Sequence, residues 1–147
     1  FPTRRSSDLV VNLIEVFWKA KDRFIDGYVQ KNPLNLTYRN LNIIKDFKYG
    51  MRKNFLLAVY EKNYTVLNDE GINYMVKGLN ENLDKFIPAE KTPMLIQTAI
   101  MPFNGMIIYD GFISTADMQL SQELVSKAFE DYSYGQKIYS LLPKNMN

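Results

Sequence analysis

Ile100-Met101-Pro102-Phe103-Asn104-Gly105-Met106-Ile107-Ile108-Tyr109-Asp110-Gly111-Phe112-Ile113 is the stretch that decides how this chain is read. Asn-Gly between two apolar runs is the strongest short signal for a two-residue hairpin, because both central positions need positive φ and these residues tolerate it. Residues 94–101 and 106–114 are therefore expected to be two antiparallel strands. Upstream, Phe55-Leu56-Leu57-Ala58-Val59-Tyr60 and Tyr64-Thr65-Val66-Leu67 are short apolar runs rich in strand formers. The turn signal Asn68-Asp69-Glu70-Gly71 leads into a further strand over residues 72–79. Valine at Gly105 is expected to cost more than valine at Gly71, which the pattern treats as an exposed, less constrained position.

The flanks follow a different period. Val10, Leu13, Ile14, Phe17, Phe24 and Tyr28 recur at spacings of three, four and seven, which predicts one amphipathic helix over residues 10–30. Asn32-Pro33 ends it, since the residue before proline is pushed out of helical geometry. Thr37 caps a second expected helix running to about Tyr49, with Gly50 as its left-handed terminator. These two helices predict a helical hairpin. Residues 80–93, polar and carrying Pro88 and Pro93, read as a loop with one helical turn at 82–86. Asp117 caps an expected helix over 118–132, Gly135 breaks it, and residues 137–142 suit either a strand or more helix. The order predicts an α+β fold: an N-terminal helical hairpin, an antiparallel meander of about five strands, and a C-terminal helix.

Composition sets the boundaries of function. The 147 residues are 46% hydrophobic and 23% charged, the balance of a globular domain. Cysteine and histidine are both absent, which excludes disulfides, thiolate or imidazole metal sites, cysteine nucleophiles and serine-histidine triads. The formal charge of +2 is too small to argue for nucleic acid by itself. Asn, Lys, Ile, Tyr and Phe supply 58 of the 147 residues, all with AT-rich codons, so ten tyrosines do not by themselves mark a binding surface. The seven glycines are scattered singly and form no phosphate-binding loop. No apolar stretch approaches the ~20 residues of a membrane helix, and no membrane association is expected.

Two resemblances bear on organisation. The segment Met101-Pro102-Phe103-Asn104-Gly105-Met106-Ile107-Ile108-Tyr109-Asp110-Gly111 is similar to a hydrophobic-Pro-Phe-x-x-x-Ile-Ile-Tyr-Asp-Gly segment of uncharacterised bacterial proteins. Those proteins also resemble this chain over Tyr60 to Thr65 and over Gly135 to Ile138, so that the likeness spans residues 15–142. It implies no activity, cofactor or catalytic residue. It does imply a defined element at 106–113 and further protein upstream. Residues 1–9, Phe-Pro-Thr-Arg-Arg-Ser-Ser-Asp-Leu, look like translated sequencing adapter. The expectation is thus a non-native segment at 1–9 and a single α+β domain over 10–147, the C-terminal part of a longer protein. The natural N-terminus and any targeting segment on it are then missing; the expected setting is the cytoplasm.

Chemistry-bearing residues are few. Asp110 falls in an apolar run, where a carboxylate is costly unless paired or hydrogen-bonded. It reads either as an acid held for a ligand or as a turn residue accepting local backbone N–H bonds beside Gly111. Other acids suited to Mg²⁺ are Asp69, Glu70, Glu90, Asp117 and Glu123, but a hard-cation site needs several to converge. Tyr60, Tyr64, Tyr74 and Tyr109, with Lys62 and Lys77, place aromatics among lysines on the expected sheet, a pattern that stacks bases of single-stranded nucleic acid. Cross-strand packing explains the same tyrosines, and the near-neutral charge argues for packing. The reading is a non-catalytic interaction domain serving an unidentified protein partner or a missing N-terminal domain, with no cofactor. Its candidate surface is Tyr60, Lys62, Tyr64, Lys77, Tyr109 and Asp110. The alternatives are a single-stranded nucleic-acid-binding module and a carboxylate- or Mg²⁺-dependent enzyme centred on Asp110.

Overall fold

The computed structural model describes residues 4–115 and 120–143. The chain gathers into two compact units, Phe1–Lys48 and Tyr49–Asn147. The first is helical: α1 (Arg4–Lys19), α2 (Lys21–Lys31) and α3 (Tyr38–Asp46). The helix expected over 10–30 is two, because Ala20 leaves helical geometry at φ −123° and ψ 29°. No proline marks that break, and Gly27 lies inside α2 without interrupting it. Asn32 ends α2 in the left-handed region at φ 41°. Its side chain then holds Leu36, accepting the Leu36 N–H at 2.8 Å and donating to the Leu36 carbonyl at 3.1 Å. Thr37 caps α3 as expected, its hydroxyl accepting the Asn40 N–H at 3.3 Å. The helix stops at Asp46 and passes into a 3₁₀ turn over Phe47–Tyr49, so Gly50 is not its left-handed terminator. Lys21 donates to the Lys48 carbonyl, and Lys48 pairs with Asp26 at 2.7 Å, tying α2 to the end of the α3 segment.

The second unit is a mixed, mostly antiparallel sheet with one helix against it. Its strands are β1 (Met51–Tyr60), β2 (Thr65–Asp69), β3 (Ile72–Lys77), β4 (Met94–Phe103), β5 (Met106–Tyr109), β6 (Ser114–Thr115) and β7 (Gln136–Ile138). The hairpins β1–β2, β2–β3 and β4–β5 are those expected. The expected simple meander is corrected in one respect. β1 pairs with β2 through its second half and with β4 through its first, and β5 lies parallel to β3. The strands therefore close into a ring, β1-β2-β3-β5-β4 and back to β1. A register shift between Leu57 and Val59 bends β1 so that it serves both neighbours, as β-bulges do.

Inward alternation fills the ring. Phe55 and Leu57 of β1, Leu67 of β2, Tyr74 and Val76 of β3, Ile96 and Ile100 of β4, and Ile107 and Tyr109 of β5 form one buried cluster. The 78–93 connection adds Leu83 and Ile87 to that cluster from 3₁₀ turns at Leu83–Lys85 and Ala89–Lys91. On the outer side, Ala58, Val66 and Met75 make a second cluster against Tyr132 of α4 (Gln122–Tyr134). The expected cap, Asp117, lies outside the described residues. The observed cap is Ser121, whose hydroxyl accepts the Leu124 N–H at 3.2 Å. Residues 136–138 are a strand, β7, parallel to β3. Among the described residues no helix is long and apolar enough to cross a membrane.

α4 is anchored through buried amides. Asn68 donates to Asn73 at 3.1 Å, and Asn73 donates to the Asp131 carbonyl at 2.8 Å. Gly135 turns the chain from α4 into β7 at an ordinary φ of −72°, but a Cβ there would lie 2.4 Å from both the Asp131 and Gly71 carbonyl oxygens. The two hairpin turns are alike: Asn104 and Gly105 have φ 49° and 78°, and Glu70 and Gly71 have φ 50° and 85°. The expectation that Gly71 is the more tolerant position is therefore corrected, since both glycines occupy a region that L side chains avoid. Gly105→Val and Gly71→Val should each lose at least ~1–2 kcal/mol in urea unfolding, by similar amounts. Gly135→Ala should lose ~1–3 kcal/mol at normal φ, for want of room. A Gly135→Ala variant as stable as the parent would show that α4 does not close on β3 as described.

Candidate functional site

The six candidate residues do not form one site. Alternation on the barrel sorts them. Tyr60 and Tyr109 point inward, and each hydroxyl donates to a backbone carbonyl of the 78–93 connection: Tyr60 to Ile87 at 2.7 Å, Tyr109 to Glu81 at 2.5 Å. Burial pushes the Tyr60 hydroxyl up to about 12, with the Asp84 charge adding to it. Burial likewise raises Tyr109, helped by Glu81 and Asp84. These two phenols are bonded closures of the barrel end, as neutral donors.

Tyr64 and Lys77 point outward and meet, with the Lys77 ammonium 5.0 Å from the Tyr64 ring centroid. Sequence reasoning missed what joins them. Tyr139, just past β7, packs edge-on against Tyr64 at 5.3 Å, and Lys137 of β7 stands 5.0 Å from the Tyr132 ring of α4. Lys137 also pairs with Glu61 at 3.6 Å. Three tyrosines and two lysines from four separate segments thus share one outer face beside β3. Lys62 is exposed in the turn that precedes Tyr64. The signal available in the sequence was the Lys137-Ile138-Tyr139 alternation, legible only once 136–138 is known to be a strand.

Asp110 lies elsewhere, where β5 ends. Its backbone N–H donates to the Ala99 carbonyl at 3.1 Å, and its carboxylate accepts the Phe112 N–H at 3.0 Å across Gly111 at φ 89°. This is the local turn that the sequence offered as one of two readings. The strand expected over 106–114 is accordingly cut into β5 and β6. Thr98 donates to the Phe112 carbonyl at 3.1 Å, and an Arg52 guanidinium nitrogen reaches the same oxygen at 3.5 Å. Burial raises the Asp110 carboxyl above its usual value, against the opposing pull of the Phe112 N–H and the Arg52 charge. Beside it runs a groove of about 480 Å³ lined by Leu79, Glu81, Phe86, Tyr109, Asp110 and Gly111.

Among the described residues no group of three or more carboxylates comes together to hold a metal. Asp69, one of the acids suited to a cation, is paired with Lys53 at 3.0 Å, and that bond raises the Lys53 ammonium. No protein-family model, curated protein or solved structure matches the chain.

The Asp110 geometry has a testable pH signature. A carboxyl whose folded pKa lies above its unfolded value near 3.8 binds more protons folded than unfolded, so its charge costs stability as pH rises through that window. Asp110→Asn keeps an acceptor for the Phe112 N–H and cannot ionise. At pH 7 it should match or exceed the parent in stability, and the difference should vanish once pH falls below the unfolded value. Asp110→Ala should be worse than Asn by ~1 kcal/mol, because the Phe112 N–H loses its acceptor. Chemical denaturation between pH 3 and 7 measures both; equal Asn and Ala variants would contradict the turn assignment.

Proposed function

We propose that the sheet unit is a non-catalytic binding module, and that its outer β2–β3–β7 face takes single-stranded nucleic acid. The observation that carries the reading is the convergence of Lys77 over Tyr64 and Lys137 over Tyr132, each at 5.0 Å, with Tyr139 half exposed between these segments. Aromatic faces stack on bases whatever their identity, and nearby ammonium groups neutralise the phosphates between them. Architecture supports the same face. Small, partly open five-stranded barrels of the oligonucleotide- and oligosaccharide-binding class present the outer side of strands 2 and 3 to their ligands. That is an analogy of architecture, and the residues are what give it chemical content. α4 covers the centre of this face, so the proposed site is the part beyond its C-terminal end.

The modest net charge fits a weak binder with few phosphate contacts. With few phosphate contacts, affinity falls gently with salt, by roughly 0.7 log units per contact per tenfold salt for single strands. A labelled oligothymidylate of about 12 nucleotides, within the usual site size, is the probe. Fluorescence anisotropy should show binding at low salt that Tyr139→Ala weakens by about tenfold or more, the scale of one lost stacking contact. Lys77→Gln with Lys137→Gln should lower the salt slope by about two phosphate contacts' worth. Absence of binding at low salt, or variants indistinguishable from the parent, would overturn the proposal.

A further inference from the structure

The groove beside Asp110 differs from the tyrosine-lysine face in its residues and in its charge. The 78–93 connection divides its apolar side chains between two duties. Leu83 and Ile87 are buried and complete the barrel core. Leu79 and Phe86, from the same connection, stand 56% and 60% exposed on the groove's rim. Phe112, just beyond the Asp110 turn, is also exposed. Exposed large apolar side chains gathered at a concavity are a feature of association surfaces.

The charged lining is of one sign. Glu81 and Asp110 line the groove, and Asp84 stands close enough for its charge to bear on Tyr60 and Tyr109. None of the ion pairs found among the described residues engages these three carboxylates. The nearest opposing charge on Asp110 is Arg52, whose guanidinium is directed to the Phe112 carbonyl. Asp110 is also held in place by its bond from the Phe112 N–H, so it is a preorganised acceptor and not a mobile surface acid.

We propose that this groove docks a basic, amphipathic peptide segment of a partner protein, a Lys or Arg of the peptide lying between Asp110 and Glu81 while its apolar neighbour covers Leu79 and Phe86. Charge complementarity selects the cation, and the two exposed apolar side chains select a hydrophobic residue next to it. The Tyr109 hydroxyl bond to the Glu81 carbonyl keeps the two walls of the groove at a fixed separation. The partner therefore meets a formed site, which limits the ordering cost of association.

The probe is a fluorescein-labelled peptide of alternating Lys and Leu, compared with a Glu/Leu peptide and a Lys/Ser peptide of equal length. The full chain should bind Lys/Leu in preference to both others, with affinity that weakens as salt rises. Glu81→Gln combined with Phe86→Ser, both exposed positions, should weaken Lys/Leu binding by about tenfold, or ~1.4 kcal/mol. Asp110→Asn, with folding checked by circular dichroism, should do the same while leaving oligothymidylate binding unchanged. Amide shifts of ¹⁵N-labelled protein on adding Lys/Leu should cluster at 79–86 and 109–112. Shifts clustering elsewhere, equal binding of the Glu/Leu peptide, or self-association that the two variants abolish would each overturn the proposal, the last by giving the groove to a second copy of the chain.

Discussion

The sheet unit depends on one strand being paired on both sides along a bend. β1 is ten residues long, and the register shift at Ala58 turns it so that residues 51–57 pair with β4 and residues 56–60 with β2. A straight strand of that length would lie flat between two neighbours or leave the ends of a sheet open. The bend closes the ring and brings β5 beside β3 in parallel. It removes two long unpaired edges, which in an open sheet would be templates for association. It also sets the interior: once β1 curves, Phe55 and Leu57 face Leu67, Tyr74, Ile96 and Ile107 across a space that side chains fill.

A filled interior decides where chemistry can occur. The inward tyrosines bring hydroxyls to the barrel end, and a buried hydroxyl without a partner is costly. Tyr60 and Tyr109 meet this by donating to Ile87 and Glu81 carbonyls, which fixes the 78–93 connection against the end of the ring. The side chains of that connection then divide between core and rim, and the rim becomes one wall of the acidic groove. On the opposite layer, Asn73 and the close fit at Gly135 hold α4 and β7 to β3, and this brings Tyr132, Lys137 and Tyr139 to Tyr64 and Lys77. Both candidate surfaces are by-products of satisfying buried polar groups.

Much of this was legible in the chain. The Asn104-Gly105 turn, the alternation of apolar residues in β1 to β4, the Thr37 cap and the Asn32 stop are local signals, and local signals are what periodicity and capping report. The α+β class follows from their order. What was not legible is non-local. Nothing near Met51 or Met94 states that the two strands pair, and a meander and a ring share the same hairpins. The break at Ala20 carries no proline or glycine. Gly71 looked permissive as an exposed turn position, yet it takes φ 85° and Glu70 before it φ 50°. The site was half legible for the same reason: Tyr64 and Lys77 could be suspected as aromatic and cation on one sheet, but Lys137 and Tyr139 are some sixty residues further along and enter only through the β3–β7 pairing. Tyr60 and Tyr109 were named for their type, and type does not reveal which way a strand residue points.

The weak net charge of the chain is better understood as a cancellation than as an absence of electrostatic character. β3 ends at Lys77, on the outer face with Tyr64. The connection that follows carries Glu81 to the groove that Asp110 also lines. Within a few residues the chain passes from a cation held over an aromatic ring to the acidic, apolar-rimmed groove. At physiological salt the screening length is ~8 Å, so charges on well-separated faces of a small barrel act nearly independently. A sum of +2 over 147 residues therefore neither opposes an anionic ligand on one face nor a cationic one on the other. What governs each is the local sign: Lys77 closes β3 on the outer face, whereas Glu81 and Asp110 lie outside the strands, in the 78–93 connection and just past the end of β5.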